Sequence, residues 1–233
     1  MAWFPSPAGI GLNKHNHIIV SDWNNNRVQV FDERGRFLFK FGSEGSDDGQ
    51  FNHPWGVAID VERDDRIIVS DQENHRVEVF SSRGEFLFKF GSRGKGEGQF
   101  NQPTGVGVTR RGIIIVSQFD NHCVQMFDES GHFLFQFGGC GSDDLQFDRP
   151  TGVVVGSEGR IIVADWANNR VQVVEVVRIE WSVRNHWKFP IGIRKAVEAV
   201  LMLWRREGEG WNVIGDLPLE VVHMIVREVV TMW

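Results

Sequence analysis

The sequence predicts an all-β propeller of four-stranded blades, three complete repeats plus one partial, followed by a short C-terminal α-helical tail. Three observations predict it. A unit of about 47 residues recurs four times, anchored at Phe4, Phe51, Phe100 and Phe147 and at Gly9, Gly56, Gly105 and Gly152. Inside each unit, short runs of Val, Ile and Phe alternate with Asp/Asn/Gly/Ser clusters, the pattern of strands joined by tight turns. Past residue 183 the repeat stops and apolar residues fall at helical spacing.

The units lie near 4–50, 51–99, 100–146 and 147–183, so the expected domains are a propeller over 3–183 and a tail over 184–233. In the second unit the strands are expected at Gly56–Val61, Arg66–Ser70, Arg76–Phe80 and Glu85–Phe90. The last alternates strictly, Phe86, Phe88 and Phe90 around Leu87 and Lys89, with counterparts at 37–41 and 133–137. Alternation of period two predicts that the three rings share one face. Since 17 of the 18 Phe lie in the repeats, the aromatic content is explained by sheet packing.

The fourth unit lacks this last strand, and VEVVRIEWSV (174–183) reads as a replacement for it. After Phe189-Pro190, Ile193, Val197, Val200, Leu201 and Trp204 mark an amphipathic helix that Gly208 and Gly210 end. A second helix is expected from Asp216, a possible N-cap, with Val221, Val222, Ile225 and Val229 as its apolar face. Residues 181–233 hold five of the nine Trp, and the tail reads as a cap over an open blade edge. A ring of this few units closes as a small propeller, closes as a homodimer, or is a fragment of a larger array.

At 233 residues, 41% hydrophobic and 24% charged, the chain has the composition of an ordinary globular protein. Its net charge of −6 sits in the repeats: residues 1–177 carry 17 Lys+Arg against 24 Asp+Glu, the rest 8 against 7. That balance disfavours RNA as a partner. Cys123 and Cys140 form no CxxC pair, so no disulfide framework or structural zinc site is expected. No leader pattern and no membrane-length apolar run occurs, which reads as a cytoplasmic protein without membrane association.

Asp22 with Asn24, Asn25 and Asn26, and the matching Asp71/Asn74 and Asp165/Asn168/Asn169, supply oxygen atoms that suit calcium. The recurrence of Asp with Arg five residues on, and their joint replacement by Gln118 and Cys123, points instead to a structural turn. His53, His75 and His122 could converge on a metal, but His75 and His122 are repeat equivalents and no tyrosine is present to act as acid or base. The Gly-rich loops 42–49, 91–98 and 138–145 precede no helix with Lys-Ser/Thr and are not phosphate loops. No catalytic residue, metal ligand or cofactor is therefore assigned.

The segments SDWNNNRVQVF (21–31), SDQENHRVEVF (70–80), SQFDNHCVQMF (117–127) and ADWANNRVQVV (164–174) resemble NHL repeats, most closely those of TRIM-NHL proteins. The resemblance covers roughly residues 3–176. It implies a propeller that binds partners on one loop face, with RNA binding through a basic top pocket as an alternative and a metal-dependent lyase-like propeller as a second. LPLEVVHMIV (217–226) also resembles the opening of an F-box helix, which implies a ubiquitin-ligase context, although a packing helix is the simpler reading.

Strand order sorts the loops, because in an up-and-down unit the connection between units and the turn between its second and third strands share one edge. Most of the acidity lies on that face. The expected function is a non-enzymatic scaffold binding a protein partner there, with binding residues His53, Trp55, His75, Arg93, Lys95, Gln102, Thr104, His122, Arg149 and Thr151. Trp55 is the expected anchor.

Overall fold

Turn residues at each junction let the chain reverse at once, so every unit folds back on itself as an antiparallel sheet. The computed structural model describes residues 6–156, 159–178 and 222–231. Blade 1 consists of β1 (Pro7–Leu12), β2 (Ile18–Asp22), β3 (Arg27–Phe31) and β4 (Phe37–Phe41), with one 3-10 turn at Trp23–Asn25. Blade 2 consists of β5 (Pro54–Asp60), β6 (Arg66–Asp71), β7 (Arg76–Phe80) and β8 (Phe86–Phe90). Blade 3 consists of β9 (Pro103–Val108), β10 (Ile114–Gln118), β11 (Cys123–Phe127) and β12 (Phe133–Gly138). Blade 4 consists of β13 (Pro150–Val155), β14 (Ile161–Asp165), β15 (Arg170–Arg178) and β16 (Val222–Thr231). In every sheet the spatial order follows the chain order, which makes this an all-β propeller of four blades.

Two expectations at the C-terminal end are corrected. Residues 174–178 do not start a fourth strand; they prolong β15. The fourth position is taken by β16, over residues expected to be helical. Val222, Ile225, Val226, Val229, Val230 and Thr231 are all β-branched, and a sheet short of its outer strand offers this segment a ladder of unpaired backbone groups. The helix expected after Phe189-Pro190 and the start of the second at Asp216 lie outside the described residues. By contact the chain divides into Met1–Glu175 with Val226–Trp233, and Val176–Ile225.

The core lies between blades. Ile19, Val28 and Val30 of blade 1 meet Val57, Ile67, Val69 and Phe80 of blade 2 around the fully buried Phe51. One junction later, Ala58, Ile68, Val77 and Val79 meet Val106, Ile114, Val116 and Phe127 around Phe100. Phe41 sits 4.8 Å from Phe80, and Phe90 4.8 Å from Phe127, so β4 and β8 each send rings into the next blade's cluster. The fully buried rings of these clusters, Phe51, Phe80, Phe100 and Phe127, are each worth about 1.5–3 kcal/mol of apolar transfer.

The three Phe of an outer strand do not all share a face. A register shift falls between Val79 and Phe80, opposite Phe88 and Phe86. In consequence Phe88 and Phe90 pack toward blade 3, whereas Phe86 packs back on the cluster shared with blade 1. A bulge inserts one residue and turns the side chains beyond it to the other side.

Glycines set the spacing of the inner strands. A Cβ on Gly56 would stand 2.4 Å from the carbonyl oxygen of Thr104, and one on Gly105 2.5 Å from that of Thr151. Ser21, Ser70 and Ser117 donate their hydroxyls to the carbonyls of Trp55, Thr104 and Thr151, tying each inner strand to the following blade. The inner strands thus pack in series, β1 on β5, β5 on β9 and β9 on β13.

Candidate binding surface on the loop face

The β2–β3 turn and its equivalents are built around one carboxylate. Asp22 Oδ2 accepts from Asn25 Nδ2, Arg27 Nε and Gln29 Nε2, each at 2.9 Å. In blade 2, Asp71 Oδ2 accepts from Asn74 at 2.7 Å and Arg76 at 2.9 Å, while its Oδ1 accepts the backbone N–H of Asn52 at 2.7 Å. Arg76 then reaches the carbonyls of Ser46, Asp47 and Gln50, and Arg170 those of Ser142, Asp143 and Gln146. Asp71 and Asp165 engage both carboxylate oxygens in this way, whereas Asp22 Oδ1 has no hydrogen-bond partner.

Blade 3 solves the same problem without charge. Gln118 Oε1 accepts from Asn121 and from the backbone of Asn101, and Gln125 Nε2 reaches Gly96 and Gln99, which Cys123 cannot do. Cys123 is buried, and burial pushes its thiol up to about 12, so it stays unreactive. At the place of Gln125, blade 2 has Glu78, whose side chain is fully buried. Burial pushes its carboxyl up to about 7, with Arg76 opposing. Arg76 lies 3.0 Å from Oε1, but neither oxygen has a hydrogen bond of good geometry, so the ion pair only partly offsets the lost hydration.

The expected binding residues now separate by role. His53, Gln102 and Arg149 precede the inner-strand prolines in left-handed backbone, with φ of 59°, 52° and 55°. Their backbone N–H groups are received by Asn26 Oδ1, His75 Nδ1 and His122 Nδ1 of the preceding blade. His75 and His122 therefore act first as acceptors that join blades. Thr104 is buried, and its hydroxyl donates to Pro150 O at 3.0 Å, so it is not open to a ligand. Thr151 is half-buried, with its carbonyl engaged by Ser117. Arg93 and Lys95 are exposed on the loop before Phe100, and Gln102 Nε2 reaches Glu73 at 3.1 Å.

Three aromatic residues that sequence reasoning passed over complete the surface. The residue after each turn Asp or Gln is Trp23, Gln72, Phe119 or Trp166. Trp23 lies 4.2 Å from the His53 ring and 6.3 Å, edge-on, from Trp55, and its Nε1 donates to Gln72 at 3.2 Å. Phe119 lies 5.9 Å from Trp166, with the Arg149 guanidinium 5.6 Å from its centroid. Trp166 is 57% exposed. The available signal was the recurrence of a large ring at an Asn-rich turn, where no strand pattern requires one.

At the opposite edge, a cleft of about 780 Å³ is lined by residues including Arg63, Arg66, Phe88, Lys89 and Glu129. Its cations are paired: Arg63 with Glu129, Arg66 with Asp60 at 2.8 Å, and Lys89 with Asp48 at 2.8 Å. Among the described residues no three His, Cys, Asp or Glu side chains converge in a metal-holding group, and no helix is long and apolar enough to cross a membrane.

Against known proteins, the family model for the NHL repeat matches residues 4–31, 51–80 and 147–174. The unmatched third unit is the one whose turn has lost its Asp and Arg. Protein brain tumor of Drosophila melanogaster is 48% identical over 56 residues, 24% of this chain and 5% of that protein. B-box type zinc finger protein ncl-1 of Caenorhabditis elegans is 49% identical over 37 residues, 16% of this chain and 4% of that one. Both matches span a small fraction of the relative's length.

Among solved structures, the WD40 repeats of RRP9 superpose with a TM-score of 0.59 at 14% identity, covering 74% of this chain and 49% of theirs. A streptogramin B lyase superposes at 0.55 with 15% identity, covering 72% and 50%. At such identities these two show the fold alone. Repeats, blade architecture and turn geometry agree: residues 4–31, 51–80 and 147–174 are NHL repeats, carried on a four-bladed β-propeller.

Proposed function

We propose that this chain is a non-enzymatic scaffold that binds a protein partner on its loop face, in the cytoplasm and in a ubiquitin-ligase context. The observation that carries the reading is the pair of aromatic groups there, Trp23/His53/Trp55 and Phe119/Arg149/Trp166. Trp and Arg side chains, flanked by polar turns, are what protein interfaces favour at their centres. The acidic loops around them favour a partner with basic residues at its rim. Self-association of an incomplete ring belongs to the same reading.

RNA binding is the second reading, and one observation favours it: Arg149 over Phe119 beside Trp166 is a platform on which a base could stack. The acidic surroundings weigh against it. The deciding experiment immobilises the chain and its Trp23→Ala and Trp166→Ala variants. Proteins retained by the parent and lost on both variants, with unchanged melting, support the scaffold. Retention that ignores both substitutions overturns it. Salt-dependent micromolar binding of short RNA hairpins selects the second reading.

A further inference from the structure

We infer that blade 2 binds a proton on Glu78, inside a buried cluster with Asp71 and Arg76, and that this proton fastens the loop carrying His53 and Trp55 to the sheet. What the inference implies for a partner rests on the scaffold reading; the proton site stands on the comparison of repeats alone.

The four turns supply that comparison. Blade 1 has Asp22, Arg27 and Gln29, and blade 4 has Asp165, Arg170 and Gln172, in each case one carboxylate balanced by one guanidinium. Blade 3 reaches the same zero with Gln118, Cys123 and Gln125. Blade 2 has Asp71, Arg76 and Glu78, two carboxylates around one cation. With both ionised it would bury an uncompensated negative charge, because the Asp71 and Glu78 side chains are 0% exposed and that of Arg76 7%. One bound proton restores the neutrality of the other three blades.

Hydrogen bonding decides which carboxyl carries it. Asp71 accepts from the Asn52 backbone at 2.7 Å, Asn74 at 2.7 Å and Arg76 at 2.9 Å, all of which favour its ionised form. Glu78 has no hydrogen bond of good geometry at either oxygen. The charged groups around it are Asp71 on β6, Arg76 on β7 and Lys89 on β8, with Asp47 and Asp48 on the loop that Arg76 and Lys89 reach. Lys89 is drawn away to Asp48 at 2.8 Å.

The other repeats show where the proton points. Gln29 and Gln172 occupy the position of Glu78 and donate to Asp22 Oδ2 at 2.9 Å and Asp165 Oδ2 at 3.2 Å, and Gln172 also donates to the Gln146 carbonyl at 2.6 Å. A carboxylic acid offers a donor in the same place, whereas a carboxylate offers none and repels Asp71. Glu78 therefore copies glutamine only while protonated.

Asp71 carries the consequence outward. Its Oδ1 holds the N–H of Asn52, next to His53, and the turn beyond it closes on the same segment, Gln72 N donating to His53 O at 3.4 Å and Glu73 N to Asn52 O at 3.1 Å. His53 lies 4.2 Å from the ring of Trp23, whose Nε1 donates to Gln72. Loss of the proton as pH rises through about 7 thus loosens the Trp23/His53/Trp55 group. The Phe119/Arg149/Trp166 group, served by the neutral glutamines of blades 3 and 4, is left alone.

The test compares the full chain with Glu78→Gln, which installs the residue found at 29, 125 and 172 and so keeps the fold. Infrared spectra at about pH 6 should show a protonated-carboxyl band in the parent that is gone by about pH 8.5 and missing from the variant at both. Hydrogen exchange, corrected for intrinsic rate, should lose about ten-fold protection in residues 42–53 of the parent over that range, relative to the equivalent loop at 138–149, and none in the variant. Identical infrared spectra of the two proteins at the lower pH overturn the proton site. A band that titrates while the two loops keep step, or a loss of protection that the variant shares, overturns its hold on the loop. Neither measurement uses a partner, so capture of proteins through Trp23 and Trp166 stands or fails separately.

Discussion

His75 Nδ1 accepts the backbone N–H of Gln102 at 3.2 Å across the junction of blades 2 and 3, as Asn26 Oδ1 accepts that of His53 at 2.8 Å one junction earlier. His75→Ala should lower stability by about 1 kcal/mol, and His75→Asn should recover most of it, measured by urea denaturation. Burial and the Arg93 charge hold the His75 pKa below the ordinary 6.5. The folded state thus favours the neutral ring, and its contribution is full above pH 6.5 and lost as pH falls below it. A pH profile unchanged by His75→Asn in that window would sink the assignment.

Glu78 has the opposite sign. Its folded pKa, about 7, lies above the ordinary 4.5, so its contribution is full below 4.5 and lost as pH rises through 7. Gln125 and Gln172 show what the position wants, an amide that donates to loop carbonyls at 3.1 and 2.6 Å. Glu78→Gln should therefore stabilise the protein at pH 8 by about 2 kcal/mol and leave it unchanged at pH 4. Equal melting temperatures of the two proteins at pH 8 would refute this.

The same substitution at two equivalent glycines should give unequal results. Gly56→Ala drives a Cβ to 2.4 Å from backbone and should cost about 1–3 kcal/mol or more. At Gly152 the nearest described atom is Ala164 Cβ at 3.6 Å, so Gly152→Ala should change the stability of the isolated chain by less than about 0.5 kcal/mol. Denaturant midpoints at low protein concentration compare them directly.

Asp71→Ala takes from the buried Arg76 one of its two carboxylate neighbours and leaves Glu78, with an expected loss of about 3 kcal/mol. Replacing Asp71, Arg76 and Glu78 together by Gln, Cys and Gln, the set at 118, 123 and 125, should cost less than the single change. A triple variant less stable than Asp71→Ala would show that blade 3 relies on something beyond these three side chains.

The blades were legible because duplication prints its period in the sequence, and Asp22, Arg27 and their equivalents could be assigned to turns because they vanish together at Gln118 and Cys123. Strand alternation misplaced Phe86, since a bulge opposite Phe80 leaves no trace in a two-residue period. Helical spacing misread Val222 to Val229, where β-branching and an unfilled sheet position outweighed it. At the loop face, Trp55 and Arg149 could be named from the loops that hold them, whereas Trp23, Phe119 and Trp166 became visible only when adjacent turns were brought side by side. His75 and His122 looked like ligands because side-chain type does not reveal that a backbone N–H waits opposite.

Blade 4 takes its outer strand from β16, which begins only at Val222, whereas β15 ends at Arg178. During synthesis at about 5–20 residues per second, some seconds separate the emergence of these two strands. Blades 1 to 3 are complete within that delay, while the edge of β15 stands unpaired. The last blade is thus a timed step, and the interval before its closure is when the nascent chain is most open to chaperones or to pairing with a neighbouring strand.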